Sequence, residues 1–243
     1  MTLNQLKTNE LPPSIGVLGA SAAPLMRTME NFPEYQWHQP TSPDRPQVEE
    51  FIRQVFRQQY GAEVSTFAPL LLSMICKGQL SAALGIRPAV NGALFIEQYL
   101  DAPIEQLIQS PDGSPVRREE IVEISNLVSM RRGASQLLFI VMGNLLHRAG
   151  FRWLVFSATE KVERLVMRLP FPMQLLATSD PAKLGDKAAQ WGSYYQTHPK
   201  VMAGDLKIAH ERVEGKSPLD YLLGLQGDLM QTLADAMPQL SSN

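Results

Sequence analysis

Cysteine is the scarcest residue of this 243-residue sequence, with Cys76 the single example. One thiol excludes an intrachain disulfide and argues against a cysteine-built metal site. Its neighbours Met74 and Ile75 suit a buried thiol better than a nucleophile. Histidine is nearly as sparse. His38, His147, His198 and His210 stand far apart, no pair has metal-ligand spacing, and no metal is expected. An excess of positive charge is missing too: 22 basic residues against 24 acidic ones leave a net charge of −2. That balance points away from nucleic acid and from anionic membrane as partners.

Long apolar runs are also lacking. The longest, Leu137–Leu146, has about half of the ~20 residues that a membrane-spanning helix needs. The patch at Ile15–Ala23 follows Lys7 and Glu10 and has no basic leader, so neither a transmembrane segment nor a secretion signal is expected, and the chain reads as cytoplasmic.

Hydrophobic residues make up 44% of the chain, enough for one substantial core. Residues 1–45, rich in Pro, Thr, Ser and Asn, read as an extension that is partly ordered at best. Val48, Phe51, Ile52, Val55 and Phe56 recur at helical spacing and predict an amphipathic helix ending near Tyr60-Gly61. Phe67–Cys76 and Gln79–Arg87 then read as a hairpin turning at Lys77-Gly78. Phe95–Leu100 is expected as a further strand or extended piece, Ile104–Gln109 as a short helix, and Asp112–Pro115 as a loop.

Between residues 121 and 177 the pattern is strand (Ile121–Val128), helix (Ser135–Ala149, ending at Gly150), strand (Trp153–Ser157), helix (Glu160–Arg168), strand (Met173–Ala177). Such alternation predicts parallel pairing through right-handed crossovers. An amphipathic helix at Tyr221–Met237 closes the chain and would support a homo-oligomer. The domain boundaries are an extension at 1–45, one domain at 46–206 and a helical tail at 207–243.

Two features carry chemistry. Glu123 stands inside an otherwise apolar strand, where burial of a carboxylate raises its pKa unless a partner holds it ionised. It suits a general base or a ligand for a substrate amine, the alternative being a salt bridge or a solvent-facing edge. The turn Arg131-Arg132-Gly133-Ala134 lies between a strand and a helix start, where free N–H groups and the helix dipole favour a phosphate; the plainer reading is a solvated basic loop. Arg87, before Pro88, and Glu97, after Phe95-Ile96, are candidates for the wall of a polar cleft or else solvated strand-end charges. Trp191, Tyr194 and Tyr195 would wall an acyl chain or anchor packing.

Several strings resemble the thermostable hemolysin family: Leu84–Ala89, the long Leu94–Ile108 (LFIEQYLDAPIEQLI), Ile121–Leu127 with Gly133, Trp153–Thr159, Trp191-Gly192 with Tyr194-Tyr195, and Val201–Asp205. That family is distantly similar to the autoinducer synthases through Glu123-Ile124-Ser125, and the resemblance implies a GNAT-like acyltransferase fold, a mixed α/β sheet with splayed central strands. It implies further that the fourth strand, Ile121–Val128, and the fifth, Trp153–Thr159, part to admit the donor's pantetheine arm. The pyrophosphate would then rest on Arg131, Arg132, Gly133 and Ala134, and a backbone N–H near Leu127 to Ser129 would polarise the acyl carbonyl. Autoinducer synthases carry an arginine three residues after the glutamate, where this chain has Asn126, so homoserine lactone synthesis is not expected.

The implied activity is acyl transfer from acyl-CoA or an acyl carrier protein to a small-molecule amine, with Glu123 and Asn126 at the reacting centre and Arg87 and Glu97 toward the acceptor. The alternatives are a membrane-active haemolysin and a non-catalytic binder of acyl-CoA or of a carrier protein.

Overall fold

The computed structural model describes residues 33–130, 133–167 and 172–213. The expected helix at 221–237 and the side chains of Arg131 and Arg132 lie outside that range.

The first helical pattern forms α1, Arg45–Tyr60. Pro46 opens it, where a missing N–H costs nothing, and Gly61 closes it at φ 66°, donating its N–H to the Arg57 carbonyl. Val48, Ile52, Val55 and Phe56 form its buried stripe. Arg45 fastens its start, donating to the carbonyls of His38, Ala68 and Pro69.

The hairpin consists of β2, Leu70–Cys76, and β3, Gln79–Pro88, with Lys77 and Gly78 both at positive φ, as a tight two-residue turn requires. Outside it runs β1, Glu34–His38, antiparallel to β2, an ordered piece within the stretch expected to be an extension.

Phe95–Tyr99 is a turn of 3-10 helix rather than the strand or extended piece its composition suggests. The reason is local: Glu97 accepts the Leu94 N–H, and the N–H groups of Phe95 and Ile96 go to Glu123, so no strand ladder is needed to satisfy them. A four-residue helix, α2 (Ile104–Leu107), follows.

Then come β4 (Ile121–Ser129), α3 (Ala134–Arg148), β5 (Trp153–Ala158), α4 (Glu160–Val166), β6 (Met173–Thr178), β7 (Lys200–Asp205) and α5 (Leu206–Val213). The sheet order is β1-β2-β3-β4-β5-β7-β6. β4 and β5 pair in parallel across the α3 crossover, as expected. The expectation fails one step later: β6 does not pair with β5, because β7 inserts antiparallel between them.

Helix α3 is buried nearly all round, which accounts for the apolar run at Leu137–Leu146 as core. It packs on Leu72, Leu84, Ile86, Ile124 and Phe156 of one sheet face. The opposite face is covered by α1 over Leu71, Ala83 and Val128, and by the 3-10 turns over Trp153, Val155 and Ala203. Among the described residues no helix is long and apolar enough to cross a membrane.

Candidate active site

Strands β4 and β5 share a register only from Ile121–Ile124 to Trp153–Phe156. β4 then continues to Ser129 alongside β3, while Ser157 and Ala158 pair only with β7. The two strands therefore diverge, and the gap lies in the middle of the sheet.

A bulge marks the same place on the other side of β4. Ala83 pairs with Val128 and Gly85 with Ser125, so one extra residue of β4 is accommodated, and neither Asn126 nor Leu127 has a ladder partner. Asn126 takes the strain at φ 51°, a conformation that asparagine tolerates better than most residues. Its Oδ1 accepts the Ala68 N–H at 3.1 Å and its Nδ2 donates to the Thr66 carbonyl at 3.3 Å. Gly85 permits this approach, since a Cβ there would stand 2.6 Å from the Ala68 Cβ and 2.9 Å from Asn126 Oδ1.

A cavity of about 940 Å³, its mouth included, occupies the gap. Ile124, Phe139, Phe156 and Val162 line it from the α3 side, and Arg87, Phe95, Ile96, Glu123 and Trp191 from the other. Part of the remaining wall is aromatic: Phe56, Tyr60 and Phe67 join Tyr194, whose ring lies 5.3 Å from Tyr60 and 5.4 Å from Trp191. Gly192 brings this segment to α1. It sits at φ 53° with Tyr60 so close that a Cβ would be 2.1 Å from its carbonyl oxygen, and Ser193 donates its N–H to that same oxygen.

Glu123 is fully buried at the cavity wall. Its Oε2 accepts the Phe95 N–H at 2.9 Å and its Oε1 the Ile96 N–H at 3.1 Å. Desolvation outweighs these bonds and the nearby Arg87 charge, and pushes its pKa up to about 7. Arg87 stands opposite it in the β3–β4 register, with Nε 3.8 Å from Oε2, too far for a hydrogen bond. A buried carboxyl poised near neutrality in a cleft is suited to proton transfer.

The cavity thus gathers Arg87, Glu123, Asn126 and Leu127 of the expected site residues, together with Trp191 and Tyr194. Glu97 is not part of its wall. Arg118 grips that carboxylate through its two terminal guanidinium nitrogens at 2.8 and 2.9 Å, which holds its pKa below the usual range. Ser129, Gly133 and Ala134 are also absent from the wall. Ser129 accepts a hydrogen bond from Ser135, Gly133 opens α3 at φ 84°, and Ala134 is buried beneath it. Tyr195 turns away to meet the Tyr99 hydroxyl at 2.6 Å.

Phe56, Phe67, Phe139 and Phe156 were not singled out by the sequence, where each reads as ordinary core. Among the described residues no group of three or more His, Cys, Asp or Glu side chains could hold a metal ion.

The family model described as thermostable hemolysin matches residues 38–210. No curated protein matches the chain. Among solved structures, the AHL synthase LasI is similar at 13% identity and a TM-score of 0.51, over 74% of this chain and 94% of its own. The apo form of TofI aligns at 12% identity and TM-score 0.50, over 71% of this chain and 91% of that one. FeeM, an N-acyl amino acid synthase from uncultured soil microbes, aligns at 14% and 0.50, covering 75% and 96%. At these identities the likeness is one of fold, the mixed α/β sheet of GNAT-like acyltransferases.

Proposed function

We propose that this chain, which belongs to the thermostable hemolysin family, is an N-acyltransferase moving an acyl group from an acyl-CoA or acyl carrier protein thioester to the amine of a small molecule. The observation that carries the reading is the carboxyl of Glu123, buried at the wall of a cavity that opens where β4 and β5 part. The fold neighbours named as an AHL synthase and an N-acyl amino acid synthase support it at the level of reaction class.

The donor's arm enters between β4 and β5, and its acyl chain lies against Phe56, Phe139, Phe156 and Tyr194. The ionised Glu123 takes a proton from the substrate ammonium. The freed amine attacks the thioester carbonyl, a C–N bond forms and the C–S bond breaks. The thiolate leaves and is protonated, and the second nitrogen proton is released as the amide forms. One ammonium and one thioester thus give one amide, one thiol and one proton. Asn126 and Leu127, outside both ladders, offer the backbone N–H that polarises the carbonyl, with Ser129 at the end of the same strand. Arg131, Arg132, Gly133 and Ala134 receive the donor's phosphates at the start of α3.

Incubation of the protein with octanoyl-CoA, or octanoyl carrier protein, and a pool of amines tests this. Free thiol and a new amide mass are expected, both lost in Glu123→Gln. Donor binding without amide formation for any amine would leave only the non-catalytic binder.

A further inference from the structure

Among the described residues, the other enclosed arginines are fully engaged. Arg45 donates to three carbonyls and pairs with Glu49, Arg118 holds Glu97 and Glu105, and Arg152 reaches Asp112, Asp205 and two serines. Arg87 is the exception. Its Nε is buried without a hydrogen-bond acceptor, and its nearest charge, Glu123 at 3.8 Å, is held in place by one backbone N–H on each oxygen. The carboxylate cannot turn to Arg87 without abandoning Phe95 or Ile96. Trp191, on the same cavity wall, also has a buried Nε1–H without an acceptor. Arginine does not shed its proton, and a buried donor left unpaired is destabilising. Two residues of the cavity wall therefore carry unmet donors, beside a carboxyl able to accept a proton.

Given the acyltransfer reading on which this rests, we infer that the acceptor is an α-amino acid, its amine presented to Glu123 and its carboxylate received by Arg87. A bare ammonium binding at Glu123 would meet the neighbouring Arg87 charge as a like charge. A carboxylate one carbon away from the nitrogen cancels that repulsion and supplies the acceptor that Arg87 lacks. The acid separates its two charged groups by a single carbon, and Arg87 and Glu123 are likewise adjacent, directly opposite one another in the ladder.

Products without turnover give the test. Isothermal titration of the full-length protein compares N-octanoyl-leucine with N-octanoyl-3-methylbutylamine, and N-octanoyl-phenylalanine with N-octanoyl-phenethylamine. Each pair differs only in the carboxylate. The acid is expected to bind about 10- to 100-fold more tightly, the usual worth of a charge-assisted hydrogen bond, and Arg87→Met to erase the difference. Equal binding within each pair, or no detectable binding of the acids, overturns the inference. The comparison in the unaltered protein stands even if Arg87→Met does not fold. Weakening of octanoyl-CoA binding rather than of the acids in Arg87→Met would assign the arginine to the donor and also overturns it. Selective binding of the acids with no thiol release from any amine would sink the acyltransfer reading and leave the anion site standing. Thiol release as fast with 3-methylbutylamine as with leucine would do the reverse.

Discussion

The side-chain Oδ1 of Asn126 accepts the backbone N–H of Ala68 at 3.1 Å, so one amide ties the bulge of β4 to the segment leading into β2. The same amide donates to Thr66, and both Thr66 and Ala68 line the cavity. Asn126 is thereby a positioning residue for the wall as well as a place where the chain turns out of the ladder.

Asn126→Ala is expected to lose about 2–3 kcal/mol, from two hydrogen bonds and a positive φ forced on alanine. Asn126→Gly keeps the backbone conformation and loses only the amide contacts, so it is expected to cost less in stability while still loosening the wall. Urea unfolding of both variants, beside their affinity for octanoyl-CoA, separates the two effects. Equal stability of all three proteins would show the amide to be idle.

Glu123 is expected to give stability and activity opposite dependences on pH. Its pKa rises from 4.5 to about 7 on folding, so the folded protein binds the proton more tightly. This contribution is fully present below about pH 4.5, falls as pH rises and is gone by about pH 7, a loss of about 3 kcal/mol. As a base the group must be ionised, so kcat/KM is expected to rise with pH and level off above about 7. Glu123→Gln is expected to flatten the stability curve across that window and abolish turnover. Denaturation midpoints between pH 5 and 8 check the first, and a pH–rate profile the second. An unchanged stability slope in the variant would place the titrating group elsewhere.

Gly192 packs against the Tyr60 carbonyl where no Cβ fits. Gly192→Ala is expected to lift the Trp191–Tyr194 segment from α1 and cost more than about 2 kcal/mol, strain and clash together. Gly78→Ala is the control: it has a similar φ of 72° with open space around it, so it should cost about 1 kcal/mol. Thermal denaturation of both reads the difference, and equal losses would mean that the contact at Tyr60 contributes nothing.

How much of this was legible in the sequence differs from residue to residue. Glu123 stood out because Ile121, Val122 and Ile124 surround it, and an ionisable group in such a run is conspicuous. What holds it was not legible: its partners are the N–H groups of Phe95 and Ile96, and backbone donors leave no trace in residue types. Glu97 looked equally available, yet Arg118, distant in sequence, occupies it. β7 escaped because, beside Val201, it is built from Met202, Ala203 and Gly204, which mark a strand far less clearly than the Trp153, Val155 and Phe156 of β5. With β7 unseen, the placement of β6 at the sheet edge could not follow.

The basic turn is open to direct trial. Arg131→Ala combined with Arg132→Ala is expected to weaken octanoyl-CoA binding at least about 10-fold, with the difference shrinking as salt rises toward 1 M. Titrations at low and high salt measure it, and an unchanged affinity removes these arginines from the donor site.

The most direct measurement on the central claim follows thiol release and product mass together, in the full-length protein and in Glu123→Gln, with octanoyl-CoA and a pool of amino acids and simple amines. The account expects stoichiometric thiol and amide from the unaltered protein, and neither from a Glu123→Gln protein that still binds donor. Amide formation at full rate by Glu123→Gln would contradict it, as would donor bound but never consumed by the unaltered protein.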